Sequence, residues 1–192
     1  MRTQAEDAWV ARLQAGDPVA LDQLARTESG RVARLLTSML GPRADLEDLT
    51  QTVFLEACRA MPRYRGEGSL TSFLLGIAVR VARRTMRPSA WVRLRAREAP
   101  EPVAADDPER ATFHGAQLRR LHVALGKIAP KKRVAFVLWA IEGMEVPAIA
   151  ELTGASVPAT KSRILYAQRE LKKMAARDPY LRDLLGGADE SR

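Results

Sequence analysis

The chain has 192 residues, 46% of them hydrophobic, which suits one large folded domain or two small ones. Its 31 Lys and Arg exceed its 23 Asp and Glu, and the net charge of +8 indicates a polyanionic partner, either nucleic acid or an anionic membrane. One cysteine and two histidines argue against a disulfide or metal site, and we expect no cofactor. Without a signal-peptide core or a run of roughly 18 apolar residues, we expect a cytoplasmic protein with no membrane insertion.

Helical spacing dominates the chain and alternating strand patterns are hard to find, which predicts an all-α fold. Asp17 followed by proline predicts an N-cap and a helix to about residue 28, and a second helix over 29–40 should end at Gly41. A third helix matches "ADLEDLTQTVFLEACRAM" and a fourth, capped by Ser69, matches "LTSFLLGIAVRVARRTMR". The loop "PRYRGEG" joins the last two.

A change of composition divides the chain. The segment "EAPEPVAADDPER" is acidic, rich in Pro and Ala and without an apolar period, so it predicts a flexible linker. Helical patterning resumes near residue 112 and fades into the final "GGADESR". We therefore predict two small helical bundles, over 1–88 and 112–183, joined by a linker over 89–111 and followed by a tail over 184–192.

The stretch "ELTGASVPATKSRI" predicts a helix-turn-helix. Gly154 allows the turn and Ser156 is placed to cap the second helix. In that helix Val157, Thr160, Ile164, Ala167, Leu171 and Met174 share one side, which leaves Ser162, Tyr166, Arg169 and Lys173 facing away. Polar and basic side chains at the start of such a helix suit DNA. The alternative is a plain helical hairpin with a solvated basic face.

The loop from Tyr64 to Ser69 and the helix after it form a second candidate site. Two glycines, an aromatic ring and charges of both signs suit a loop that holds an unstacked base. Between Arg59 and Arg97 there are ten arginines and one acid, Glu67, which favours phosphate contact. An ordinary interhelical turn is the alternative.

Both halves resemble the same family. The segment "LHVALGKIAPKKRVAFVLWAIEGMEVPAIAELTGASVPATKSRILYAQRELKKM" is similar to region four of extracytoplasmic-function (ECF) bacterial sigma factors. The segment "GPRADLEDLTQTVFLEACRAMPRYRGEGSLTSFLLGIAVRVARR" resembles their region two. The resemblance implies a dissociable subunit that binds core RNA polymerase and directs it to promoter DNA. It also implies an anti-sigma protein as a partner, and no catalytic residue or small-molecule substrate.

The resemblance also assigns three sets of site residues. Reading of the minus-thirty-five element would fall to Ser156, Thr160, Lys161, Ser162, Arg163, Tyr166 and Arg169. Reading and melting of the minus-ten element would fall to Tyr64, Arg65, Gly66, Glu67, Ser69, Phe73, Arg80, Arg83 and Arg84. Docking on the polymerase would fall to Asp45, Glu47, Asp48, Gln51 and Leu55. Acids in a first helical turn also favour the helix dipole, which is the simpler explanation for the last set.

Three of the positions that depart from the family pattern belong to the predicted DNA-binding sets. Phe73 stands where tryptophan is usual and can still pack or stack. Arg80 replaces an asparagine and exchanges a base-edge amide for a cation that seeks phosphate. Tyr166 stands where a basic residue is frequent, so we expect a weaker phosphate contact and an added apolar or stacking contact.

Two other functions compete with this interpretation. A two-domain helix-turn-helix regulator would bind DNA without replacing a polymerase subunit, and would need a dimerising or ligand-binding domain. A nucleic-acid enzyme would need a phosphate loop, zinc spacing or a nucleophile with its base, and none stands out. Asp45, Glu47 and Asp48 point in different directions around one helical turn, which argues against a shared Mg²⁺.

Overall fold

The computed structural model describes residues 4–66, 68–86, 113–179 and 181–182, and the regular structure in these ranges is helical. The helices are α1 (Gln4–Gln14), α2 (Pro18–Leu40), α3 (Leu46–Ala60), α4 (Leu70–Thr85), α5 (Phe113–Gly126), α6 (Pro130–Ala140), α7 (Val146–Thr153) and α8 (Val157–Ala175). A 3₁₀ turn, Met61–Arg63, follows α3. The all-α prediction is confirmed, whereas the predicted linker and tail lie outside the described residues. No described helix has the length and apolar character needed to cross a bilayer.

The chain forms two compact units. The first unit comprises Met1–Leu36 and Asp45–Val81, and the second comprises Thr37–Ala44 and Ala82–Arg192. By contacts, therefore, the last residues of α2 and α4 group with the second unit. The predicted domain limits differ from this division at those two helix ends.

One long helix, α2, replaces the two helices predicted between residues 18 and 40, so that prediction was wrong. A glycine inside a helix costs about 1 kcal/mol relative to alanine. The helix nevertheless continues through Gly30 because Leu24, Val32 and Leu35, on either side of it, are buried with at most 2% exposure. Burial of such side chains contributes about 1.5–3 kcal/mol each, which exceeds the cost of the glycine.

Both ends of α2 are defined as the sequence predicts. The Asp17 carboxylate accepts the amide of Val19 at 2.9 Å, and Gly41 follows the helix with φ of 80°. Two hydrogen bonds lower the pKa of Asp17: the larger effect comes from the Arg12 side chain and a smaller one from the Val19 amide. The carboxylate therefore stays ionised and continues to cap the helix in mildly acidic solution.

The second unit packs α6 and α7 against α8. Its core contains Val137, Leu138 and Ile149, none of them exposed to solvent. Arg133, only 9% exposed, donates to the carbonyls of Gly126 at 2.7 Å, Ile128 at 3.0 Å and Met39 at 2.8 Å. Burial lowers the pKa of this guanidinium, but the carbonyl acceptors satisfy it. The arginine thereby closes the C-terminal end of α5, where carbonyls lack helical partners.

Candidate nucleic-acid interface

The turn between α7 and α8 has the geometry of a helix-turn-helix. Gly154 lies in the left-handed region with φ of 63°, and its amide bonds to the carbonyls of Ala150 and Glu151 at the end of α7. Two residues later, the Ser156 hydroxyl accepts the amide of Ala159 at 3.3 Å and caps α8. The predicted glycine turn and serine cap are therefore present, and together they set the direction in which α8 leaves the turn.

One face of α8 is exposed and carries most of the side chains predicted to read DNA. Ser156, Lys161, Ser162, Tyr166 and Arg169 are exposed, and Arg163 is half-buried. The opposite stripe is buried: Thr160, Ile164, Ala167 and Leu171. Because the buried stripe anchors the helix to the rest of the second unit, the polar face stays exposed to solvent.

Thr160 does not belong to the exposed face. The residue has no exposed surface, and its hydroxyl donates to the Ser156 carbonyl at 3.0 Å. Its side chain cannot reach a base while α8 stays packed, so we correct its predicted role from DNA contact to packing. Val157 shows the opposite difference from the prediction: it was predicted on the packed side of α8, but it is 37% exposed.

Tyr166 is held by a residue from another helix. The Lys132 ammonium, in the first turn of α6, lies 5.2 Å from the centre of the Tyr166 ring. The same ammonium donates to the Glu170 carboxylate at 2.6 Å. Sequence reasoning missed both Lys132 and Glu170 as members of this site, because the two lie 38 positions apart and no periodicity links them.

A basic cavity of about 290 Å³ lies next to the turn, within the second unit. Arg83, Lys131 and Arg163 line it together with Gly154. The Arg83 guanidinium donates to the carbonyl of Thr153, the last residue of α7, at 3.2 Å. Arg83, which the family resemblance assigned to the minus-ten set, therefore lines the same cavity as Arg163 of the predicted minus-thirty-five set.

The loop between α3 and α4 is held by its aromatic residue. Tyr64 is only 9% exposed, its hydroxyl donates to the Gly68 carbonyl at 2.7 Å, and its ring centre lies 4.9 Å from that of Phe73. Gly66 has φ of 74°, a conformation that glycine adopts without strain. The side chain of Gln14 anchors the loop through the Tyr64 carbonyl at 2.7 Å. Tyr64 and Phe73 therefore shape the loop from inside.

The concave side of this loop borders an open cavity of about 670 Å³ in the first unit. Its lining includes Trp9 of α1, Leu24 and Glu28 of α2, and Gly66 and Ser69 of the loop. The indole N–H of Trp9 is buried and has no hydrogen-bond partner among the described residues. A cavity of this volume, lined by both polar and apolar groups, has room for a planar group of the size of a nucleobase.

The remaining residues of the minus-ten set differ in accessibility. The Ser69 hydroxyl accepts the amide of Ser72 at 3.0 Å, which confirms its predicted role as the cap of α4. Arg65, Arg80 and Arg84 are exposed, and Glu67 lies outside the described residues. Exposed guanidinium groups can approach phosphate without unpacking a helix.

The acidic start of α3 borders a groove in the first unit. Glu47, Asp48 and Gln51 are exposed, Leu55 is 57% exposed and Asp45 is half-buried. The groove, of about 480 Å³, is lined by Ala25, Ser29, Glu47, Thr50, Gln51, Phe54, Leu55 and Cys58. An exposed leucine beside carboxylates and a largely apolar groove is the composition of a protein-binding surface. Among the described residues no group of three His, Cys, Asp or Glu is placed to hold a metal ion.

Comparison with known proteins agrees with this geometry. The sigma-70 region 2 family model matches residues 24–92, which include the acidic groove and the loop, and the sigma-70 region 4 family model matches residues 118–171, which include the helix-turn-helix. The chain is 31% identical to the ECF RNA polymerase sigma factor SigD of Mycobacterium tuberculosis, over 91% of this chain and 84% of SigD. It is 30% identical to the ECF RNA polymerase sigma factor SigE of Mycolicibacterium smegmatis, over 84% of this chain and 65% of SigE.

A solved structure shares the fold. The sigma factor RpoE from Bartonella quintana, in complex with the anti-sigma factor NepR, aligns with a TM-score of 0.65 at 18% identity, over 82% of this chain and 97% of RpoE. The fold and the two matched regions define a sigma factor of the sigma-70 type. Within that class the chain belongs to the ECF RNA polymerase sigma factors, which direct polymerase to promoters. The predicted family is thereby confirmed, and the two competing functions, the separate regulator and the nucleic-acid enzyme, are not those of this family.

Proposed function

We propose that the exposed face of α8 reads the minus-thirty-five element in the major groove. The observation that carries this proposal is the pairing of a buried stripe with an outward polar face, directly after a capped glycine turn. Lys161, Ser162, Arg163 and Arg169 offer donors to base edges and phosphates. Tyr166 offers an aromatic ring on the same side of the helix.

We propose that the loop after α3 and the helix α4 read and melt the minus-ten element. Opening a duplex costs a few kcal/mol, and an unstacked base held in a pocket returns about 1–3 kcal/mol. The open cavity beside Gly66 and Ser69 supports this role, since it has room for a base. Arg65, Arg80 and Arg84 are exposed and supply cations for the separated strands.

The acidic groove of the first unit is the proposed docking surface for core RNA polymerase. Glu47, Asp48 and Gln51 would meet a basic partner surface, and Leu55 would enter an apolar pocket on it. For this function we expect no catalytic residue, cofactor or small-molecule substrate, and we expect the protein to act in the cytoplasm together with its polymerase. An anti-sigma protein is the expected inhibitor, by analogy with the complex of RpoE and NepR.

Charge reversal on the reading helix tests the central part of this proposal. In the holoenzyme, Lys161→Glu is expected to weaken binding to a promoter fragment by tenfold or more, and to lower the slope of log affinity against log salt by about 1 for the lost phosphate contact. Affinity is measured by fluorescence anisotropy at four salt concentrations.

The matched control is Arg177→Glu, the same charge change at an exposed position just past the end of α8. It lies about 24 Å along the helix axis from Lys161, at roughly 1.5 Å per residue. The control is expected to keep more than half of the wild-type affinity. Equal losses in the two variants would mean that net charge alone, and not the face of α8, governs promoter binding.

A further inference from the structure

We propose that Lys132, held by Glu170, is a positioning residue that orients Tyr166 on the reading helix and so sets base preference at one position of the minus-thirty-five element. The inference rests on the proposed role of α8 in reading that element. It concerns two residues of the second unit that lie outside the predicted site, one of them on a different helix.

The side chains of Lys132, Tyr166 and Glu170 lie close together. Tyr166 and Glu170 lie one turn apart on α8, so their side chains are neighbours. Lys132 reaches across from α6 with its ammonium 2.6 Å from the Glu170 carboxylate and 5.2 Å from the centre of the Tyr166 ring. The side chains of Lys132 and Glu170 are only 33% and 38% exposed, which restricts the directions that the ammonium can take.

The ammonium of Lys132 restricts the conformations of the Tyr166 side chain. Tyr166 is 51% exposed, and an aromatic side chain on an open helix face has more than one accessible rotamer. A cation over its face favours the single rotamer that keeps the ring beneath the ammonium. The carboxylate of Glu170 fixes the ammonium in turn. The ring is thus ordered before DNA arrives, which lowers the entropy lost on binding.

The ordered Tyr166 ring determines which chemical groups this part of α8 presents to DNA. The Lys132 charge is balanced by Glu170, so this pair adds no net charge beside Tyr166, and the ring itself offers an aromatic edge and a hydroxyl. In the major groove the apolar feature of a base pair is the C5-methyl group of thymine. Tyr166 lies one turn after Ser162 on the same side of α8, where a ring edge would meet a base. The geometry therefore points to thymine as the preferred base opposite Tyr166.

The experiment measures base preference with the holoenzyme. Binding is scored on a promoter library with a randomised minus-thirty-five element, for the wild type and for Lys132→Met, Glu170→Gln, Lys132→Arg and Tyr166→Ala. The wild type is expected to prefer thymine at one position by about fivefold or more, the lower end of what one good base contact provides. Tyr166→Ala identifies that position by removing the preference there.

The positioning variants then separate the proposal from a purely structural role. Lys132→Met and Glu170→Gln are expected to cut the thymine preference at that position to less than about half and to leave the other positions unchanged, whereas Lys132→Arg keeps the cation and restores the preference. Glu170→Gln nearly preserves the shape of the side chain, so it remains informative even if Lys132→Met lowers the melting temperature.

Three results would overturn the proposal. One is an unchanged thymine preference in both positioning variants while Tyr166→Ala abolishes it. Another is an equal loss at every position accompanied by a lower melting temperature, which is the behaviour of a simple clamp between α6 and α8. The third is a smaller salt slope in Lys132→Met with unchanged base preference, which would make Lys132 a phosphate contact.

Failure of the underlying function gives a different result. If α8 does not read the minus-thirty-five element, Tyr166→Ala leaves the preference profile as in the wild type, and Lys161→Glu leaves the promoter affinity and its salt slope unchanged. The proposal is then overturned together with that function. A profile that changes in Tyr166→Ala but not in Lys132→Met overturns the positioning role alone.

Discussion

The loop site of the first unit and the helix face of the second unit place their aromatic residues in opposite ways. In the loop, Tyr64 is buried at 9% exposure and holds Gly68 through its hydroxyl. On the helix, Tyr166 is 51% exposed and is held from the side by Lys132. The buried ring shapes a concave surface, which suits a group taken out of a duplex, whereas the exposed ring stands on a convex helix, which suits an intact groove.

The difference shows that two kinds of surface, a concave loop and a convex helix face, can each suit DNA. The helix face depends on packing beneath it, because each exposed residue is directed by the buried stripe on the other side. The loop depends on a few hydrogen bonds, on the contact between the Tyr64 and Phe73 rings and on two glycines. Damage to the core should therefore affect the helix face most, and damage to single hydrogen bonds should affect the loop.

The largest effect is expected from a cavity beneath the helix face. Leu171 is 1% exposed in the core of the second unit, and Leu171→Ala should lower the free energy of unfolding by about 2–5 kcal/mol. Thermal and urea unfolding measure this loss. Leu165→Ala, on the same helix but at a position that is 45% exposed, should cost less than about 1 kcal/mol. Similar losses in the two variants would contradict the assignment of the buried stripe.

The next effect separates polymerase docking from both DNA sites. Asp48→Arg reverses an exposed charge beside the acidic groove and should weaken binding to core polymerase by about tenfold, about 1.4 kcal/mol. Minus-thirty-five binding by the variant without polymerase should match the wild type. Asp7→Arg, an equal charge change on α1, serves as control. If that control weakens polymerase binding as much, the groove has no special role.

A smaller effect is expected from one hydroxyl in the loop. Tyr64→Phe keeps the ring beside Phe73 but removes the bond to the Gly68 carbonyl, at a cost of about 1 kcal/mol. Strand opening, followed by permanganate reactivity of unpaired thymines, should slow several-fold, while binding of duplex minus-thirty-five DNA stays constant. Opening at the wild-type rate would show that the loop does not need this bond.

The smallest effect concerns pH. Burial lowers the pKa of His122 in the folded second unit below its ordinary value of 6.5, so the folded state favours the neutral ring. The unfolded chain then binds more protons below pH 6.5, and stability should fall as the pH decreases through that value. The melting temperature between pH 7.5 and 5.5 checks this dependence, which His122→Gln should reduce. An unaltered slope in the variant would assign the effect to other groups.

The sequence was sufficient for features that depend on local chemistry. Asp17, Ser69 and Ser156 were recognised as helix caps because their side chains bond amides two or three residues ahead. Gly154 was recognised because a left-handed turn needs a residue without a side chain. The outward positions of Ser162, Tyr166, Arg169 and Lys173 on α8 followed from helical periodicity and are confirmed.

Features that depend on distant parts of the chain could not be predicted in this way. The break expected near residue 28 was wrong because burial on both sides of Gly30 outweighs its low helix propensity. Thr160 was placed both on the packed side and at the DNA, and only the structure shows that burial prevents the second role. Lys132 contacts Glu170 only because α6 packs against α8, so no local pattern in the sequence predicts the pair.

The most direct test of the account is promoter-specific initiation by purified core RNA polymerase with and without this protein. On a supercoiled template with a randomised promoter pool, the account predicts 5′ ends that map to one start position downstream of selected minus-ten and minus-thirty-five sequences, and only when the protein is present. Enrichment of the same sequences by DNA binding, without any new start position, would contradict it.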